Sequence, residues 1–276
     1  MAASADLERW NRFRDARNSA LAEPHGWLSL TSFQWLAPEP SAVRLVPGSW
    51  SAREGRAQVS AGADDGLTDL TDPSKDEPVE GIRTASLEDE ESLTWIAHGG
   101  PDGRRTVVEL ARRAGRYAIR TRDSESPTVT GFRAVPVFDY RPEYVVRGRF
   151  EPYDEPRVDS IRTAHPEVTG EQVSAGDVVF RLPGDDQEHR LRAVREENGN
   201  LGITFHDSTN GRTTAGWRKV TTMPPGADAS VTIDFNRSVN YPSAFTPFGT
   251  CPMPVDGNSV DAPVEAGERA PAGVEK

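Results

Sequence analysis

The tract from Asp234 to Pro254 constrains this chain more than any other segment. It runs Asp234-Phe235-Asn236-Arg237, then Asn240-Tyr241-Pro242, Phe245-Thr246-Pro247 and Cys251-Pro252-Met253-Pro254. A carboxylate, an arginine, two amides, the only cysteine and four prolines share it. Proline fixes φ, removes a backbone donor and pushes the preceding residue toward extended geometry. The tract is therefore not a helix, and past Asn236 it is not a central strand. What remains is an ordered, extended loop that holds polar side chains at set positions, the kind of segment on which sites are built.

The rest of the chain reads as mainly β. Residues 4–21 predict an amphipathic helix: Ser4 can cap it, Asp6 and Glu8 suit its positive end, and Leu7, Trp10 and Phe13 recur at helical spacing. Pro24-His25 ends it, and Gly26 to Leu36 then alternates in part, with Trp27, Phe33 and Trp35 as core anchors. Strand patterns follow near 42–46, 55–60, 92–97, 105–110, 115–121, 144–150, 157–163, 177–182, 188–194, 200–206 and 230–235. Turn signals separate them at Gly99–Gly103, Pro183–Asp186, Glu197–Asn200 and Asn210-Gly211. The third of these predicts a hairpin joining Leu191–Val194 to Leu201–Phe205. The acidic, glycine-rich stretch 62–78 is expected to be a mobile loop, and the chain from about Ala270 a disordered tail.

Net charge is −11, which argues against a general nucleic-acid binder, whose footprint is basic. No apolar run reaches the roughly 18 residues of a membrane span. The start of the chain lacks the basic, apolar and small-residue order of a signal peptide. A cytoplasmic, soluble protein is the expectation. A single cysteine excludes an internal disulfide framework and any multi-cysteine zinc site. His25, His98, His165, His189 and His206 show no paired metal spacing, so no metal or other cofactor is expected. GxGxxG, P-loop and GxSxG motifs are all absent. Only Lys75, Lys219 and Lys276 are lysine among 32 basic residues, a bias that codon usage or salt adaptation would both produce.

Candidate site residues come from two places. In the strand-to-turn segment Gly202–Gly211, His206 and Asp207 are adjacent and so face opposite ways, which disfavours a dyad. Asp207 and Asn210 suit either a self-capped turn or a binding loop, and Arg218 can reach back toward Asp207 or Asp234. In the C-terminal tract, Asp234 and Asn236 share one face by alternation, and Phe235 and Arg237 the other. With Phe235 facing the core, Arg237 is drawn to the apolar side and needs a carboxylate such as Glu268 or Asp207. Arg237 then either staples the loop, so that Arg237→Ala destabilises the fold markedly, or offers its fork to an anion. Cys251 has no histidine placed beside it by any motif to act as its base.

The C-terminal residues resemble the prokaryotic family known as domain of unknown function 1684 (DUF1684). The resemblance rests on Asp234–Arg237, Asn240-Tyr241-Pro242, Ala244-Phe245-Thr246, Cys251–Pro254, Asn258 and Ala266-Gly267-Glu268. Gly26-Trp27-Leu28 with Trp35-Leu36, Phe132–Tyr144, and Phe205–Gly211 before Arg218 agree with it, extending it over roughly residues 7–268. The pattern implies a second cysteine where Ser243 stands, a tyrosine near Ala215, and an arginine where Ser259 follows Asn258. The resemblance implies no activity.

These readings predict a mainly β protein: a single barrel-like or sandwich domain over 23–268, an N-terminal helix over 1–22, and a tail over 269–276. The ordered Pro-rich loop lines or covers a polar pocket. Asp207, Asn210, Arg218, Asp234, Asn236, Arg237 and Asn240 are the candidate ligand-binding groups. The expected function is binding of a small anionic ligand, with no nucleic acid or membrane partner. Two alternatives stay open: an enzyme using Asp/Arg acid–base chemistry, and a structural or partner-binding module.

Overall fold

A computed structural model describes residues 2–72, 74–75, 77–100 and 104–271, with side chains from Ala5 onward. The chain is mainly β and begins with a helix, Ala2–Leu21, so Ser4 falls inside the helix rather than at its cap. No helix among the described residues is long and apolar enough to cross a membrane. Two compact units emerge. One spans Ala20–Phe132; the other combines residues up to Ser19 with those from Arg133 onward.

The smaller unit is built from antiparallel sheets. Its six-stranded sheet runs in the order Leu30–Trp35, Arg116–Asp123, Thr106–Arg113, Ser92–His98, Leu67–Asp69 and Glu77–Pro78. A three-stranded sheet of Ser49–Arg53, Arg56–Ala61 and Gly81–Ala85 shares its core, where the Trp50 and Trp95 rings meet edge to face at 5.7 Å. The strand expected at 42–46 does not form; Ser41 bridges to Trp50 instead, and Leu45 sits at φ 73°. The loop expected over 62–78 is also partly a strand. Leu67 is buried and pairs with His98, and Leu70 donates its N–H to the Trp95 carbonyl, so two leucines anchor this acidic stretch to the sheet. The Gly99–Gly103 turn falls partly outside the described residues.

In the larger unit a single sheet curls into a half-barrel. Its order is Ser230–Asp234, Val145–Arg162, Thr169–Phe180, His189–Arg195, Leu201–Asp207, Arg218–Thr222 and Val239–Asn240. Ser259–Val260 adds in parallel to Leu201–Asp207. The expected hairpin across Glu197–Asn200 is present, with Val194 opposite Gly202. Inside the curl, Phe235 packs against Phe180 and Phe205 at centroid distances of 5.4 and 5.7 Å. Burying three aromatic rings together removes several hundred Å² of apolar surface from water, a main source of stability for the half-barrel. Phe235 thus faces the core, as alternation requires. Alternation then stops: the chain turns into a 3₁₀ helix over Phe235–Arg237.

Candidate functional site

Most of the polar candidates are structural pins. Asp207 ends its strand fully buried, and its Oδ2 meets Arg218 Nη2 at 2.8 Å, with neither side chain exposed. Its Oδ1 accepts from the Thr209 N–H and hydroxyl. Asn210 closes the same turn: its Oδ1 accepts the Asp207 N–H, and its amide donates to Thr214 Oγ1 and the Ala215 carbonyl. Arg218 spends its remaining donors on the Ala266, Val264 and Glu268 carbonyls, leaving only Nε without a partner. Burial pushes the Arg218 guanidinium down from its ordinary value while Asp207 pulls it up. Arg218 therefore reaches back to Asp207, not to Asp234. His206 points away and meets the Gly216 carbonyl through Nδ1.

Glu268 is the second hub, and it is wholly buried. Its Oε1 accepts from Arg14 and Arg17 of the helix at 3.1 Å each, and its Oε2 accepts the Asn240 N–H at 2.7 Å. Asn240 in turn donates its amide to the Arg269 carbonyl. Gly267 brings the tract this close: at φ +78° a Cβ would lie 2.6 Å from the Ser238 carbonyl oxygen. Past it, Ala270 donates its N–H to Thr213, so the chain is held at least that far; residues 272–276 lie outside the described set.

Asn236, also buried, acts as a strand substitute, with its Oδ1 accepting the Arg141 N–H and its amide donating to the Arg141 carbonyl. The helix seals it, because Trp10 donates to the Asn236 carbonyl at 2.9 Å. Arg237 corrects the expectation of a buried, Glu268- or Asp207-paired arginine. The 3₁₀ turn swings its side chain outward, where it remains 39% exposed and pairs with Asp234 at 3.3 Å. Of the seven candidates, only Asp234 and Arg237 line an open groove, and none lines the pocket of the Pro-rich loop.

That pocket holds about 600 Å³ between the Gly211–Trp217 segment and the Tyr241–Pro247 loop. Trp217, Tyr241, Ala215, Ala244 and Pro247 give it apolar walls, with Ser243 and Thr246 as neutral polar groups. Tyr241 donates or accepts at 2.6 Å with Thr204 Oγ1, and burial pushes its phenol up to about 12, so it stays protonated. Arg212 is the one formal charge among the lining residues. Its guanidinium has no hydrogen-bond or ion-pair partner among the described residues. A sequence signal for it exists. Between Ser208 and Val255 the chain has two acids, Asp228 and Asp234, against four bases, a local reversal on a chain of net −11.

Fold and site together define a β-rich protein with a half-barrel unit, an internally pinned C-terminal tract and a pocket walled by its proline-rich loop. The family model described as a protein of unknown function, DUF1684, matches residues 130–269, just over half of the chain, and the chain belongs to that family. The matched segment starts after Gly26–Leu28 and Trp35-Leu36, which lie outside it. The chain is also similar to the solution NMR structure of an uncharacterized protein of Haloarcula marismortui. Identity is 25%, covering 51% of this chain and 79% of that one, with a TM-score of 0.43. No curated protein matches the chain.

Proposed function

We propose that this protein binds a small anionic molecule with an apolar body in the pocket between Gly211–Trp217 and Tyr241–Pro247. The carrying observation is Arg212: an arginine without a partner among the described residues, and the sole charge on a lining that holds no carboxylate. A ligand anion would supply the missing partner, and the fork of a guanidinium suits carboxylate or phosphate oxygens. The volume lies within the range of small-molecule pockets, and its mostly apolar walls with few polar groups match their usual make-up. Binding is favoured over acid–base catalysis here, since the lining holds no carboxylate and Asp207 is buried against Arg218.

The test is calorimetric titration of the protein with apolar carboxylates, such as benzoate and hexanoate, and with phenyl phosphate. Their uncharged amide or alcohol counterparts serve as controls. The acids are expected to bind, weakening as salt rises, and the neutral counterparts to bind at least about tenfold more weakly. Equal affinity for acid and neutral forms, or no heat from any of them, overturns the reading.

A further inference from the structure

A second groove, of about 690 Å³, lies on the outer face of the half-barrel unit. One wall is the helix, which presents Asp6, Arg9 and Phe13 on a single face at i, i+3 and i+7. The second wall comes from the turn that follows the last long strand, with Asp234 and Arg237 again three residues apart, and the Arg237 guanidinium lies over the Phe13 ring at 5.2 Å. Each wall thus carries an acid beside an arginine, joined as the Arg9–Asp6 and Arg237–Asp234 pairs. The remaining charge on the lining, Lys219, is taken by Glu196 at 2.8 Å.

This arrangement is selective by its charge pattern. Two neutral pairs give no net attraction for a simple anion or cation. A molecule carrying both signs can exchange with both, its carboxylate meeting one arginine and its ammonium the acid of the other wall. All four residues are partly exposed and solvent-exposed pairs are weakly held, so a ligand competes for Oδ2 of Asp234 at small cost while its Oδ1 keeps the Asn236 N–H and amide. Tyr140 stands among the four charges with a phenol that has no hydrogen-bond partner among the described residues. Burial first, and then Asp234 and Asp6, push that phenol upward, so it keeps its proton to donate. Among the threonines of the lining, Val145 is 37% exposed and Met223 75% exposed, surface that an apolar side chain would cover.

We propose that this groove binds a small zwitterion with an apolar body, bearing a free ammonium and a free carboxylate. Free amino acids and short peptides share that chemistry. The site is independent of Arg212 and of the pocket it lines.

Calorimetry with L-leucine and with Leu-Leu separates the two sources, and N-acetyl and methyl-ester forms of each remove one charge at a time. At least one zwitterion is expected to bind, with both of its blocked forms about tenfold weaker or worse. Asp234→Asn and Arg237→Gln, checked for an unchanged near-ultraviolet spectrum, are each expected to erase the preference for the unblocked form. A blocked form that binds as well as its parent overturns the proposal, as does the absence of any heat. So does a preference that survives both substitutions. The titrations use the Arg212→Gln protein, because N-acetyl-leucine is itself an apolar carboxylate that the Arg212 pocket would bind, so the two proposals fail separately.

Discussion

Arg212 and Arg218 stand six residues apart, on a turn and on the strand that follows it, and their surroundings are opposite. Arg218 has lost all contact with water and is ringed by Asp207 and three carbonyls. Arg212 stays exposed beside a pocket without a partner among the described residues. The contrast shows why residue type alone does not reveal a role. A buried guanidinium must be matched by its own protein, because an unpaired buried charge costs several kcal/mol. An exposed one carries no such obligation and is free for a ligand. The same division separates Glu268, saturated by Arg14, Arg17 and the Asn240 N–H, from Asp234, whose pair faces an open groove.

The contrast breaks most visibly at Arg218. Replacing it with methionine leaves the Asp207 carboxylate buried and unmatched, and a loss of roughly 3–5 kcal/mol is expected by urea denaturation. A loss below about 1 kcal/mol would mean that the ring of contacts is incidental. Glu268→Gln comes next. It removes the charge that two arginines share while keeping the shape, and a loss of about 1.5–3 kcal/mol is expected. Amide hydrogen exchange should quicken in the helix from Trp10 to Arg17 first, and uniform protection there would contradict the pinning role. The smallest effect falls on Arg237. As an exposed partner of Asp234, its change to alanine is expected to cost about 0–1 kcal/mol, against the marked loss that a buried staple implies. A drop beyond about 2 kcal/mol would restore the stapling role.

Much of this was legible in the sequence. Leu7, Trp10 and Phe13 at helical spacing marked the first helix, although Leu7 stays 42% exposed in the fold. Asn198-Gly199 marked its hairpin, and the spacing of Asp207 and Arg218 allowed the ion pair that forms. Other features were hidden for physical reasons. The strand Arg218–Thr222 opens on Arg-Lys and carries no apolar run, yet alternation buries Arg218 and Val220 and leaves Lys219 outside. Period-two alternation puts Arg237 on the apolar side, but it holds only while the strand continues, and the chain turns at Phe235. Leu67 lies in an acidic stretch whose composition resembles a loop, yet it pairs as a strand. Arg212, a lone arginine after Asn-Gly, belongs to no motif; its signal is the scarcity of nearby acids, visible only when charge is counted by segment.

The most direct measurement is Arg212→Gln, followed by both urea denaturation and benzoate titration. Stability within about 0.5 kcal/mol of the parent, together with anion binding lost by about tenfold or more, is the predicted result. Unchanged benzoate affinity would contradict the account, and so would a large fall in stability, because Arg212 would then be one more pin like Arg218.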